Sequence, residues 1–245
     1  MKTYTDKFSK LYNMNNQNDF SEILFINFND YTKAKGLNFR THLDLACGTG
    51  TFCINMQKKG INSSGSDISE GMINQAKINA EKENLDINFF VGNMATDIFS
   101  DKYDLITCNY DSINHLENFE AWIQTFKNVH QMLNGDGYFL FDFNTFINFE
   151  RLISMPEEHK KTENYEFWRI MNKLDNNHLE FVFRYSFSDG TTEEQKIKEC
   201  FYETETVIKA LEEIGFEIVD ILGKKFVRSD DLGKEQKLHI LCKKK

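Results

Sequence analysis

Residues 41–51 read THLDLACGTGT and decide the fold of this chain. A short apolar run, Leu43-Asp44-Leu45-Ala46, predicts a strand, and Cys47-Gly48-Thr49-Gly50 predicts a tight turn after it. Phe52 to Gln57 then has the pattern of a helix. A strand that runs through a glycine turn into a helix presents free backbone N–H groups and a helix dipole to a ligand, so we expect a nucleotide cofactor here.

The residues of this turn discriminate between nucleotides. A dehydrogenase fingerprint requires G-x-G-x-x-G, and the third glycine is missing. Asp44, two residues before the turn, would repel two phosphates but suits a ligand that carries an ammonium group. S-adenosylmethionine is such a ligand, since it has a sulfonium, an amino-acid tail and an adenosine without phosphates.

Composition limits the remaining function classes. The 245 residues, 40% hydrophobic with 23 Phe, suit one α/β domain with an insertion or a small lid. The net charge of −9 gives no general attraction to nucleic acid or anionic membranes. The five cysteines lack metal-ligand spacing, so we expect no metal site. The start, MKTYTDKFSKLY, lacks the apolar block of a signal peptide, and no apolar run reaches the ~20 residues of a membrane helix, so a cytoplasmic protein is expected.

The order of patterns predicts the fold class. Strand-like segments at 41–46, 61–67, 87–92, 103–110, 137–144, 216–222 and 236–243 alternate with helical ones, whereas 166–202 reads as an antiparallel meander. We predict an α/β fold, a doubly wound, mostly parallel, seven-stranded Rossmann-like sheet with an inserted antiparallel β lid. The predicted parts are an N-terminal helical cap (1–36), the cofactor-binding domain (37–145 and 203–245) and the lid (146–202).

Four motifs in order resemble the class I S-adenosylmethionine-dependent methyltransferases, over most of residues 40–145. Asp44-x-Ala46-x-Gly48-x-Gly50 is similar to the family's first motif, and residues 65–72, GSDISEGM, are similar to its second. Gly92-Asn93-Met94 resembles the third, although Asn93 stands where aspartate is usual, and the segment after the fourth strand, 107–116, resembles the small-molecule branch. The resemblance implies cofactor contacts at the following positions: Asp44, Ala46, Gly48, Gly50, Asp67 (ribose), Ile68 and Met72 (adenine), Asn93, Met94 and Asn109.

Two residues are candidates for the catalytic step. Tyr12 matches an N-terminal tyrosine that covers the methyl group in glycine and sugar N-methyltransferase-like relatives. His115 follows the fourth strand, where an imidazole can accept a proton near neutral pH. Phe20 stands where relatives often carry a second tyrosine.

The acceptor is less well determined than the methyl donor. Base and protein-glutamine methyltransferases carry [DN]-P-P-[YFW] after the fourth strand, and the chain's single proline is Pro156, so DNA is not the expected acceptor. We expect a small-molecule substrate, with nitrogen slightly favoured over oxygen, and a monomer or homodimer. Three alternatives stay open: a non-catalytic S-adenosylmethionine-binding regulatory module, an RNA-directed methyltransferase and a dinucleotide oxidoreductase.

Overall fold

The structure is a computed structural model that describes residues 17–163, 165–229 and 231–245. Its strands in these ranges are β1 Thr41–Leu45, β2 Asn62–Asp67, β3 Asn88–Val91, β4 Tyr103–Cys108, β5 Leu133–Asn144, β6 Glu158–Lys161, β7 Tyr165–Lys173, β8 His178–Phe187, β9 Thr192–Cys200, β10 Phe216–Leu222 and β11 Lys237–Lys244. The α-helices are α1 Gln17–Lys35, α2 Thr51–Lys58, α3 Glu70–Lys82, α4 Phe119–Met132, α5 Phe146–Ile153 and α6 Thr204–Ile214.

Seven strands form the main sheet, in the order β10-β11-β5-β4-β1-β2-β3. Only β11 is antiparallel to its neighbours, β5 and β10, within the described residues. The chain builds β1, β2 and β3 outward in one direction and then crosses to β4 on the other side of β1. In open α/β sheets a ligand binds at such a reversal, outside the carboxyl ends of the strands. The predicted α/β fold with a mostly parallel sheet is confirmed.

Helices cover both faces of this sheet, as buried parallel strands require. On one face α1 and α2 pack through Leu24, Phe28 and Phe52. On the other face α4 and α6 pack on the sheet through Trp122 and Val207. Successive side chains of each strand point to opposite faces of the sheet, so both faces are packed against helices. This packing fixes the sheet and, with it, the loops at its carboxyl edge.

The inserted segment is only partly the predicted meander. Four strands form a separate antiparallel sheet in the order β6-β7-β8-β9. However, residues 146–153 form helix α5, and β6 adds a strand that the sequence pattern did not indicate. The helix forms because Phe146, Phe149 and Leu152 recur every three residues, which gives one apolar face that packs on Leu179 and Phe201 of the inserted segment.

Among the described residues, no helix is both long enough and apolar enough to cross a membrane.

Candidate functional site

The turn after β1 adopts backbone conformations that glycine favours. Gly48 and Gly50 have φ angles of +55° and +82°, and Ala46 has +54°. A Cβ on Gly50 would lie 2.7 Å from Cζ of Phe89 and 3.0 Å from Cβ of Ala76, whereas a Cβ on Gly48 would meet nothing within 4 Å. Gly50 therefore allows the turn to pack on β3 and α3, and Gly48 leaves open space in front of the turn.

Asp67 ends β2 and connects this turn to the start of α3. One carboxylate oxygen accepts from the backbone N–H of Gly48 at 2.9 Å, and the other accepts from that of Ser69 at 2.8 Å. Burial raises the pKa of Asp67 above its ordinary value, although both backbone N–H groups oppose the rise. A carboxylate has about four lone-pair sites, so two acceptor positions are left for a ligand's hydroxyl groups.

Apolar side chains continue the site on both sides of Asp67. Ile68 is 49% exposed although it is a large hydrophobic residue, whereas Met72 is buried. Asn93 and Met94 follow β3, and the side-chain oxygen of Asn93 accepts from the backbone N–H of Ala95 at 3.0 Å. An aromatic ring that covered Ile68 would remove apolar surface from water.

Asp44 lies behind the turn rather than at its surface. Its Oδ1 accepts from the Thr107 hydroxyl at 2.5 Å and from Nδ2 of Asn109 at 3.3 Å. Burial, with the nearby charges of Asp67 and Asp142, raises the pKa of Asp44 to about 7, against the effect of the two hydrogen bonds. The buried Oδ1 of Asn109 has no hydrogen-bond donor among the described residues.

One cavity of about 990 Å³, its open mouth included, lies at this edge of the sheet. Of the sequence-predicted residues it is lined by Ala46, Gly48, Asp67, Ile68, Met72, Asn93, Met94 and His115. Asp44, Gly50 and Asn109 are not among its lining residues: Gly50 lies within the turn, and Asp44 and Asn109 form a hydrogen-bonded pair behind it.

The sequence reasoning missed several residues of the wall. They are Ser21, Cys47, Thr49, Thr51, Gly92, Tyr110, Ser112 and Leu116. Most of them are neighbours of predicted residues in the same turns, so their positions follow once the turns are placed. Ser21 on α1 has no such signal. Tyr12 lies outside the described residues, and so does the side chain of Phe20.

The segment after β4 brings His115 to the cavity. Tyr110 and Asp111 have φ angles of +60° and +49°, and a short 3₁₀ helix, Ser112–His115, follows them. This reversal folds the chain back over the carboxyl edge of the sheet. Burial lowers the pKa of His115, an effect that Asp111 opposes and Lys237 reinforces. The ring is therefore poised as a neutral base near pH 7.

A buried polar cluster extends from His115 toward the second sheet. Lys237 of β11 binds Asp111 and lies 3.3 Å from Oδ2 of Asp142. The Nδ2 group of Asn144 donates to Asp111 and to Glu199 of β9, both at 3.0 Å. Although burial opposes it, the Lys237 charge holds the pKa of Asp111 below its ordinary value. Glu199 was not predicted, although an acid beside Ile197 on the apolar face of a strand is a signal that the sequence offers.

Two sequence comparisons support a methyltransferase. Residues 43–137 match the family model described as a methyltransferase domain. The chain is also 28% identical over 184 residues to a putative methyltransferase of Geobacillus sp. (strain WCH70), a match that covers 73% of this chain and 74% of that protein.

Solved structures share the fold. A S-adenosylmethionine-dependent methyltransferase from Clostridium acetobutylicum superposes with a TM-score of 0.86 at 22% identity, covering 97% of each chain. An S-adenosylmethionine-bound amino pentose methyltransferase from Micromonospora echinaspora gives a TM-score of 0.71 at 14% identity, covering 96% of this chain and 97% of that one. At these identities the superpositions support the fold alone.

The matched domain, the fold and the cavity define one class of enzyme. The chain carries a class I S-adenosylmethionine-dependent methyltransferase domain, which confirms the resemblance inferred from the motifs. Residues 43–137 make the chain a methyltransferase, and S-adenosylmethionine, the cofactor that the motifs predict, is the methyl donor of this class. The residues present fit this cofactor, since Asp67 retains free acceptor positions and the space in front of Gly48 is open.

Proposed function

We propose that this methyltransferase acts on a nitrogen atom of a small-molecule acceptor. The observation that carries the proposal is the position of His115, which lines the same cavity as Asp67 and adjoins the buried acidic cluster. In that cluster three carboxyl groups, Asp111, Asp142 and Glu199, surround one ammonium, Lys237. Asp111 and Asp142 share the single ammonium of Lys237, and the negative charge that is left over attracts a positively charged acceptor such as a protonated amine.

The cavity has two ends with different tasks in this proposal. Asp67 accepts from the cofactor's ribose hydroxyls, the space in front of Gly48 takes its amino-acid part, and Ile68, Met72, Asn93 and Met94 enclose the adenine. Asp44 and Asn109 support the turn from behind. When bound, S-adenosylmethionine would supply an electrophilic methyl group, because its sulfonium becomes a neutral thioether once the methyl group is transferred. His115 takes a proton from the acceptor so that a nitrogen lone pair is free.

The second sheet covers the acceptor end in the same proposal. Glu199 of β9 lies 3.9 Å from His115, so the inserted segment reaches a residue that lines the cavity. We accordingly assign residues 146–202 to a lid, residues 37–145 and 203–245 to the cofactor-binding domain, and residues 17–36, the described part of the predicted segment 1–36, to an N-terminal cap. An amino pentose methyltransferase has the same fold, and the proposal extends its kind of acceptor, one that carries an amine, to this chain.

Two measurements test the proposal. Calorimetry should give micromolar binding of S-adenosylmethionine or its demethylated product and no binding of NAD or FAD. Turnover is then followed as formation of the demethylated product with a panel of amino sugars, each paired with the same sugar bearing a hydroxyl in place of the amine. Methylation of amino sugars and not of their hydroxyl partners supports the proposal. Turnover confined to the hydroxyl partners would refute nitrogen as the acceptor, and cofactor binding with no turnover on either set would favour a regulatory module.

A further inference from the structure

Glu199 is a buried acid of the second sheet that lies behind His115, the residue through which it approaches the cavity. Its side chain is 8% exposed, and its Oε1 lies 3.9 Å from Nε2 of His115. Its other oxygen, Oε2, accepts from Asn144 at 3.0 Å. Among the described residues, Oε1 has no hydrogen-bond donor. The carboxyl group is thus fixed at one oxygen and directed with the other toward the histidine that lines the cavity.

The charges around this pair come from four elements. Asp111 and His115 follow β4, Asp142 and Asn144 lie on β5, Lys237 and His239 on β11, and Glu199 on β9. Lys237 is already engaged by Asp111 and Asp142. Among the residues that the structure describes, Glu199 therefore has no cation within ion-pair distance except a protonated His115, although the Lys237 charge also acts on it.

We infer that Glu199 is a positioning residue that pairs with His115 and stabilises its protonated form during turnover. The inference rests on the proposed function, since it deepens the role of the same site. In the step concerned, an ammonium acceptor gives one proton to a ring nitrogen of His115, and the N–H electron pair stays on the acceptor as its lone pair. The Glu199 carboxylate balances the positive charge of the resulting imidazolium. A side-chain rotation that moves the end of either group by about 1 Å shortens the 3.9 Å separation to hydrogen-bond distance.

A proton fits this cluster better than a metal ion does. Ligand atoms of Asp111, His115 and Glu199 lie within 4.8 Å of one another, which is a spacing that a divalent cation could bridge. However, both oxygens of Asp111 are occupied, one by Lys237 and the other by Asn144. A divalent ion would have to displace the ammonium group or accept it as a close neighbour.

Burial determines the pH range in which the pair can act. It raises the pKa of Glu199 to about 8, an effect that the charge of Asp111 increases and that Asn144 and Lys237 oppose. Below this pH the carboxyl is neutral and stabilises an imidazolium only weakly. We therefore expect kcat/KM, which reports the free enzyme, to rise with pH through a limb near 8.

The test compares Glu199→Gln with Glu194→Gln. Gln at 199 keeps an oxygen that accepts from Asn144 but removes the ionisable group. Glu194 lies on the same strand, pairs with Arg184 at the surface, and serves as the matched control. Thermal melting of each variant verifies that it folds.

The first readout needs no acceptor. The ring nitrogens of His115 are followed by NMR in ¹⁵N-histidine-labelled protein against pH and assigned with His115→Asn. In the wild type and in Glu194→Gln, the His115 signal should move in two steps, one of them near pH 8, because coupled groups titrate as a pair. In Glu199→Gln only one step should remain. A His115 titration that is the same in all three proteins would overturn the pairing.

The second readout uses the acceptor found in the turnover assay. Glu199→Gln should lower kcat/KM by about tenfold or more near pH 9 and remove the limb near pH 8, with the KM for S-adenosylmethionine unchanged. An equal loss at every pH with the limb intact would reduce Glu199 to a structural role. Activity that EDTA abolishes and Mg²⁺ or Mn²⁺ restores would replace the proton with a metal ion. If no acceptor is methylated, the proposed function fails while the NMR titration still decides whether the pair exists.

Discussion

Gly50 offers a quantitative test of why the cofactor turn has its shape. An Ala at 50 would take a left-handed backbone at φ +82°, which costs an L residue about 1–2 kcal/mol. Its Cβ would also lie 2.7 Å from Cζ of Phe89, well inside the 3.4 Å at which ordinary van der Waals contact begins. Overpacking of this kind adds about 1–3 kcal/mol, so Gly50→Ala should lose about 2–5 kcal/mol of unfolding free energy.

Gly60 provides the matched control for this prediction. It has the same φ of +82°, and a Cβ there would meet nothing within 4 Å. Gly60→Ala should therefore lose only the backbone share, about 1–2 kcal/mol, in urea denaturation. Phe89→Leu removes the clashing ring atom, so in a double-mutant cycle it should recover part of the Gly50→Ala loss and none of the Gly60→Ala loss. Equal losses for the two alanine variants would refute the packing explanation.

Three further predictions concern the buried acids. Asp67→Ala should weaken S-adenosylmethionine binding by about 1–3 kcal/mol, or roughly 5- to 150-fold in Kd by calorimetry, while exposed Asp86→Ala leaves it unchanged. Burial raises the pKa of Asp44 from 3.8 to about 7, so the folded protein favours the protonated carboxyl group. The stability that this provides is complete below pH 3.8 and is lost as pH rises through 7. Cofactor-free Asp44→Asn should then melt above the wild type beyond pH 7 and show no such advantage below pH 4. For the same reason, Glu199→Gln should have a higher melting temperature than the wild type above pH 8, where the wild-type carboxyl is ionised. A lower melting temperature there would contradict the raised pKa of Glu199.

The sequence predicts the cofactor end of the site well because the information there is local. The strand, the turn and the helix around Gly48 and Gly50 are encoded by consecutive residues. Asp67 follows from its place at the end of the next strand, and parallel strands bring such ends to one edge. The same logic gave the seven strands of the main sheet, whose apolar runs are separated by clear turn and helix signals.

The acceptor end depends on contacts between distant residues and could not be predicted in this way. His115 and Glu199 are brought together only by the docking of the second sheet, which no local pattern specifies. The sequence analysis includes residues 146–153 in a β insertion and so misses helix α5. Their apolar residues recur every three positions, which favours a helix. Asp44 is buried because β1 lies beside β4, and its hydrogen-bond donor Thr107 is on that strand, far along the chain.

The two ends of the cavity accommodate buried acids in physically different ways. At the cofactor end, Asp67 is satisfied by two backbone N–H groups, which are fixed and cannot change charge. At the acceptor end, Lys237 neutralises Asp111 and is shared with Asp142, so Glu199 is left to neutralise itself by taking up a proton. A neutral amide at 199 would serve the hydrogen bond to Asn144 without the cost of burying a charge. An acid at this position therefore lowers stability, but it can gain and lose a proton near neutral pH, which a backbone amide cannot do. The proposed function accordingly assigns cofactor binding to the end with fixed donors and proton transfer to the end with titratable groups.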